Sequence, residues 1–257
     1  MLFYLRNHLS VPQSACCAPT RKGRAMIDLH CHILPGVDDG SPDAEISLSM
    51  ARHAAESGVT AIAVTPHCNL PGFRRNYRGP DYRRQLNDLR ELLTQENIPL
   101  RLYSGAEVFA DPSNIRTLIE QHELITLGGS RYLLVEFDFG LPGSVLLRTL
   151  EAIAQRDPGL AAWCFSRGML LQLNKGSLLG LLGSRAEDTA LHLLSHGLAH
   201  LIASDAHDDR FRTTGFRSLL PVLEPICHPD YIALLLHGNP RRILRDEPIP
   251  IPPLQSD

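Results

Sequence analysis

His30, Cys31 and His32 form a His-x-His motif at the end of an apolar, strand-like run that begins at Met26. In an extended strand, side chains i and i+2 share a face, so both imidazoles can meet one metal ion while Cys31 points away. Alone, the pattern fits two ordinary surface histidines equally well. Its company separates the readings: His67, Glu107, Glu136 and the pair Asp205 and His207 each stand at or just beyond the end of another strand-like run. That edge is where parallel β/α barrels assemble their sites. Asp38 and Asp39 follow the first strand in a glycine-rich turn, where they either add a carboxylate or simply shape the turn before a helix. So many nitrogen and oxygen ligands exceed the needs of one tetrahedral zinc and imply two or three divalent ions with a bridging carboxylate. Imidazole and carboxylate ligation without thiolate suits manganese, iron or zinc and does not choose among them. Such a cluster performs hydrolysis, with an activated water as nucleophile and cationic charge stabilising the oxyanions of a phosphate or carbonyl group.

The elements that must position these residues alternate strand and helix from Met26 onward, which predicts a mainly parallel sheet closed as a barrel or nearly so. Residues 26–33 read as a strand, and Ser41-Pro42 as the cap and first turn of a helix through Ser57, closed by Gly58. Residues 59–65 are apolar and β-branched and end at Pro66-His67; residues 81–96 form an amphipathic helix. Strands follow at 100–104, 132–137, 170–174 and 198–203, with a helix at 113–121. Between the strands at 132–137 and 170–174 stand two helical segments, 144–155 and 160–167, joined by Arg156-Asp157-Pro158-Gly159, a turn too short to hide a strand. One βα step is therefore missing from the strict alternation.

The chain has 257 residues, 44% hydrophobic and 21% charged, enough for one full-sized domain with a real core. A net charge of -3 argues against a non-specific nucleic-acid binder, and no apolar run is long enough for direct membrane insertion. The six cysteines lack C-x-x-C spacing and fit a reducing cytoplasm. Residues 1–25 begin like a signal peptide but are interrupted by Arg6, Asn7 and His8, and are expected to be a disordered arm or to precede the true start; 26–247 is the domain and 248–257 a proline-rich tail.

His67-Cys68 with Arg74 fits the H-C-x5-R pattern of cysteine-dependent phosphatases. Leu70, Pro71 and Phe73 occupy a loop that would need to be glycine-rich and open into a helix, so His67 is better explained as a ligand. Arg74, Arg75 and Arg78 form a basic loop beside His67, either merely solvated or a gate that attracts an acidic, phosphorylated chain. His53, His122, His192, His196, His200 and His237 fall on helices or their ends and read as surface or capping residues.

The run Met-Ile-Asp-Leu-His-Cys-His-Ile-Leu-Pro-Gly-Val-Asp-Asp-Gly at 26–40 resembles the opening of the PHP-superfamily, metal-dependent protein-tyrosine phosphatases of bacterial capsule and exopolysaccharide operons. Thr65-Pro66-His67, Gly105-Ala106-Glu107-Val108, Leu134-Val135-Glu136-Phe137, Gln172-Leu173-Asn174, Ala203-Ser204-Asp205-Ala206-His207 and Asn239-Pro240 match in order. The resemblance implies a distorted parallel β/α barrel holding three ions, usually Mn2+. One site would use His30, His32, Glu107 and Asp205, a second would share Glu107 and add Glu136, and a third would use Asp39, His67 and His207. Arg212 matches an arginine placed near the phosphate. The implied substrate is phosphotyrosine on a membrane-anchored tyrosine autokinase that controls polysaccharide export.

The departure from the family is a His-Pro-Glu-Arg strand expected between Glu136 and Gln172, which is absent from the same interval that breaks the alternation. Cys227-His228-Pro229-Asp230 looks similar but comes too late and has Tyr231 where the arginine belongs. Loss of a histidine ligand and a phosphate-clamping arginine keeps two alternatives open: an impaired or inactive paralogue that binds the phosphorylated kinase tail, and a phosphoesterase acting on a small phosphomonoester. An amidohydrolase would need a carboxylated lysine, for which Lys175 is the candidate.

Overall fold

The structure, a computed structural model, describes residues 2–6 (backbone only), 25–70, 80–111, 125–137 and 170–249. The expected helices at 113–121, 144–155 and 160–167, the loop carrying Arg74, Arg75 and Arg78, His122, and residues 250–257 of the tail lie outside the described residues.

Nine strands form two sheets among the described residues. β2 (Met26–Cys31), β3 (Val59–Val64) and β5 (Arg101–Ser104) make a parallel three-stranded sheet in that order. The second sheet has β4 (His67–Cys68), β6 (Glu107–Phe109), β7 (Tyr132–Glu136), β1 (Leu2–Arg6), β8 (Leu170–Asn174) and β9 (Leu201–Ala203), in that spatial order. β4 and β6 prolong β3 and β5 after short steps, so the two sheets share walls there. At the other end they meet, among the described residues, through the parallel bridge Cys31 to Ala206. The fold is thus mixed α/β with two largely parallel sheets, not the continuously closed barrel that alternation alone suggests.

The step from β5 to β6 passes close to β3, and Gly105 makes this possible: a Cβ there would stand 2.9 Å from Leu127 Cδ2 and 3.3 Å from the Val64 carbonyl. The sheets bury apolar side chains on both faces. Ile27, Leu29, Ala61, Ala63, Tyr132, Leu134, Leu170 and Leu201 form an inner cluster, floored by Leu127, Ile243 and Ile249. An outer cluster packs Ile62, Val64, Leu102 and Ile202 against α1 (Ala44–Ser57), α2 (Pro80–Gln95) and later helices through Met50, Leu86, Leu89 and Leu236. Burial on two faces explains why β2 and β3 read as continuous apolar runs rather than alternating ones.

The α1 cap differs from expectation. Asp43, not Ser41, is the N-cap, its carboxylate accepting from Ile46 N at 2.9 Å, while the Ser41 hydroxyl donates to the Asp43 carbonyl at 2.8 Å. A carboxylate at this position also meets the positive end of the helix dipole. Gly58 closes the helix at φ 93, as expected.

Two further differences concern the strands. No parallel strand separates β7 from β8 among the described residues; antiparallel β1 stands between them instead, with Phe3 opposite Val135 and Leu171. Residues 2–6 therefore depart from the expectation of an unstructured arm: the flanking strands offer unpaired backbone groups on both sides, and Leu2–Arg6 satisfies them.

Candidate metal centre

The ladder between β2 and β3 is irregular between Asp28 and Cys31. Ile27 and Leu29 belong to the inner cluster, whereas Cys31 packs in the outer one. His30 and His32, both fully buried, reach the strand ends with their Nε2 atoms 3.0 Å apart. β4 delivers His67, β6 Glu107, β7 Glu136, and the turn after β9 delivers Asp205 and His207. The turn after β2 delivers Asp39. All eight predicted ligands lie together.

Glu107 is the hub. Its Oε1 is 3.2 Å from His30 Nε2, and its Oε2 is 3.2 Å from His32 Nε2 and 3.0 Å from His67 Nδ1. Asp205 Oδ1 stands 3.3 Å from His30 Nε2, and Glu136 Oε2 3.7 Å from His67 Nδ1. Asp39 Oδ1 faces His67 Nε2 at 3.3 Å and His207 Nε2 at 3.5 Å; its side chain, 56% exposed, marks the mouth. Three sets have ligand atoms within 4.8 Å of one another: His30 with His32 and Glu107; His67 with Glu107 and Glu136; and His32 with Asp39, His67 and His207. Set beside the three sites implied by resemblance, the first set lacks Asp205, the second adds His67 and the third adds His32.

The surroundings leave ring nitrogens directed into the cluster. His32 Nδ1 donates to Asp38 Oδ2 at 2.7 Å, and the same oxygen accepts from His67 N at 2.8 Å. His207 Nδ1 donates to the Asp205 carbonyl at 3.2 Å, and His30 Nδ1 meets the Gln172 side-chain amide at 2.9 Å. For His32 and His207 this leaves Nε2 for a cation, the arrangement in which an outer partner fixes ring orientation and tautomer, whereas the Gln172 amide nitrogen donates to His30 Nδ1 and orients that ring from the other side. Asp205 adopts φ 51, a left-handed conformation rare outside glycine. Its carbonyl accepts from Arg212 Nε at 3.2 Å, and its Oδ2 meets Arg212 Nη2 at 2.6 Å.

The electrostatics fit cations. Burial opposes charge on His32 and His67, yet hydrogen bonds from His32 to Asp38 and Glu107, and from His67 to Asp39 and Glu107, raise their pKa values to about 9 and about 11. Burial would raise Glu107, but the His30, His32 and His67 imidazoles hold it well below the ordinary range. Hydrogen bonds from His207 and His67 similarly depress Asp39. Glu136 moves the other way, to about 7, through burial and repulsion from Glu107. Its Oε2 is buried without a hydrogen-bond donor among the described residues. Crowded carboxylates, with Glu107 Oε2 and Glu136 Oε2 both lacking a hydrogen-bond partner among the described residues, and imidazole nitrogens 3.0 Å apart form a donor set that divalent ions satisfy.

Several contributors are not legible as ligands in sequence. Buried Asp28 accepts from His30 N, Ser204 N and the Ser204 hydroxyl, tying the first strand to the Asp205 turn. Its signal is a carboxylate inside an apolar strand, which must find donors. Asn174 Nδ2 donates to Asp205 Oδ2 at 2.7 Å, and Gln172 links it to His30. The rivals find no support in geometry: Lys175 is buried and its ammonium donates to Thr213 and the Gly215 carbonyl, Cys68 is fully buried, and His228 caps an exterior helix.

Comparison with known proteins agrees with this geometry. The family model described as "Capsular polysaccharide synthesis, CpsB/CapC" matches residues 26–157 and 157–245. The chain is 30% identical over 243 residues to the tyrosine-protein phosphatase YwqE of Bacillus subtilis (strain 168), covering 87% of this chain and 93% of that protein. It is 26% identical over 246 residues to the tyrosine-protein phosphatase CpsB of Streptococcus pneumoniae, covering 86% and 99%. Among solved structures, one from a study of YwqE and CpsB, described there as unique metal-dependent tyrosine phosphatases, superposes with a TM-score of 0.73 at 30% identity, covering 87% of this chain and 96% of that one. A family match across most of the chain, joined to this strand-end cluster, makes the protein a member of the CpsB/CapC family of PHP-type, metal-dependent phosphatases.

Proposed function

We infer that the chain is a metal-dependent protein-tyrosine phosphatase, and the observation that carries this is the eight-residue cluster centred on Glu107 in a chain of the CpsB/CapC family. His30, His32, Glu107 and Asp205 would hold one divalent ion, Glu107, Glu136 and His67 a second, and Asp39, His67 and His207, with His32 nearby, a third. Bound ions, Mn2+ by preference over Fe or Zn, supply positive charge to the phosphoryl oxygens and acidify the attacking water. Asp38, Gln172 and the Asp205 carbonyl keep the imidazoles aimed. Arg212 spends Nη2 and Nε on Asp205, leaving its Nη1 edge for a phosphoryl oxygen. Arg74, Arg75 and Arg78, which follow His67 in sequence, would attract an acidic phosphorylated segment. The substrate class is the phosphotyrosine tail of a membrane-anchored tyrosine autokinase that governs capsule or exopolysaccharide synthesis, met in the cytoplasm. No helix among the described residues is long and apolar enough to cross a membrane.

The test is phosphate release from a phosphotyrosine peptide compared with a phosphoserine peptide and with small phosphomonoesters. Preference for the tyrosine peptide in kcat/KM is expected; preference for a small monoester would overturn the assignment. One observation favours a second reading, binding without turnover: the family match falls into two spans meeting at residue 157, inside the interval lacking His-Pro-Glu-Arg. Tight phosphopeptide binding with no phosphate released is its signature.

A further inference from the structure

The second sheet draws its site residues from two groups of strands. β4, β6 and β7 carry His67, Glu107 and Glu136, while β8 carries Gln172 and Asn174 and β9 leads into Asp205 and His207. Among the described residues these groups do not pair with each other, and β1 joins them. Leu2 lies opposite Gln172, and Phe3 lies opposite Val135, the residue before Glu136. Tyr4 is registered with both Leu134 and Leu170. Neighbouring strands stand about 4.8 Å apart, so a strand between β7 and β8 sets a separation of about 10 Å between them. Without it, each would present a full row of unpaired backbone groups, and the two half-sites would have no shared ladder. Its direction is consistent with this placement: running antiparallel, β1 ends with Arg6 opposite Tyr132, at the end of the sheet away from the metal centre, where β2 also begins.

We propose that Leu2–Arg6 is a sheet-completing strand that positions the Glu136 half of the metal centre against the Gln172 and Asp205 half. The segment thus belongs to the scaffold of the site. This deepens the metal-centre reading above and rests on it for the ligand set, but its tests measure neither phosphate release nor substrate.

In the full-length protein, backbone amides of residues 3–5 are expected to show hydrogen-exchange protection comparable to those of β7 and β8. A Tyr4→Pro variant removes a backbone donor from a strand paired on both sides, where proline is not accommodated. It is expected to bind Mn2+ at least about tenfold more weakly, or to lose one ion from the stoichiometry, at temperatures where it remains folded. Tyr4→Val keeps the donor and β propensity and should bind as the unsubstituted chain does. A strand serving only stability would lower Tm in Tyr4→Pro while leaving Mn2+ number and affinity unchanged below the transition, and that result would overturn the proposal. Should Tyr4→Pro fail to fold, the exchange measurement decides on the unsubstituted chain: unprotected amides at residues 3–5 contradict the proposal.

Discussion

At His32 the two ring nitrogens do different work: Nδ1 is committed to Asp38, and Nε2 stands among Glu107, His30 and Asp205. Asp38 also accepts from His67 N, so one carboxylate orients parts of two ligands. Asp38→Ala is therefore expected to weaken Mn2+ binding by about 10 to 100-fold, measured by titration, with the ligands themselves intact. The perturbed groups also set a pH dependence. His32 and His67, with ordinary values near 6.5 and folded values of about 9 and 11, stabilise the metal-free fold fully below about pH 6.5, and this contribution is lost as pH rises toward those values. Glu136, raised to about 7, acts in the same direction, since its neutral form is the favoured one. Metal-free protein should therefore melt at a lower temperature at pH 9 than at pH 6, while Mn2+ affinity rises over the same interval because cations must displace those protons. Calorimetry in buffers of different ionisation enthalpy should register proton release on loading; its absence would contradict these assignments. Most candidate ligands could be picked out in sequence because strand ends and i, i+2 spacing are local signals, while Asp39 was singled out by the family resemblance. Asp28 and Ser204, or Gln172 and His30, are joined across more than a hundred residues, and nothing in the local pattern announces such bonds.

The turn after β2 carries Asp38 and Asp39 at positions fixed by a tight backbone contact. A Cβ on Gly40 would lie 2.2 Å from the His32 carbonyl oxygen and 2.4 Å from His32 Cβ, so the turn cannot close over a larger residue. Gly40→Ala is expected to cost about 1–3 kcal/mol, read as a lowered denaturant midpoint, and to reduce Mn2+ affinity as Asp39 and His32 shift. Unchanged stability would show that the turn adapts. Longer elements were readable from periodicity: α1, α2, β3, β7 and β8 lie within a residue or a few of their expected bounds. The two- and three-residue strands β4 and β6 were not, being too short for any period, although they carry His67 and Glu107. Pairing across the sheet, with His67 opposite Glu107, makes them strands.

At the scale of the whole molecule, the metal centre is where the two sheets meet. His30 and His32 end one sheet, Glu107, Glu136 and Asp205 come from the other, and the Cys31 to Ala206 bridge joins them alongside. Cations at this seam would hold the sheets together as well as perform chemistry, so a chelator should lower Tm and Mn2+ should restore it in a concentration-dependent way; a Tm indifferent to both would place the ions outside the fold's stability. A parallel α/β architecture could be read from alternation, but the split into two sheets could not, because it depends on where short steps such as Pro66 and Gly105 bend the strands. The most direct test of the central claim is phosphate release from a phosphotyrosine peptide by metal-stripped protein, with and without added Mn2+. Turnover that appears only with Mn2+ and is abolished in Glu107→Gln is the predicted result. A folded, Mn2+-loaded protein that releases no phosphate, or one that works equally well without metal, would contradict it.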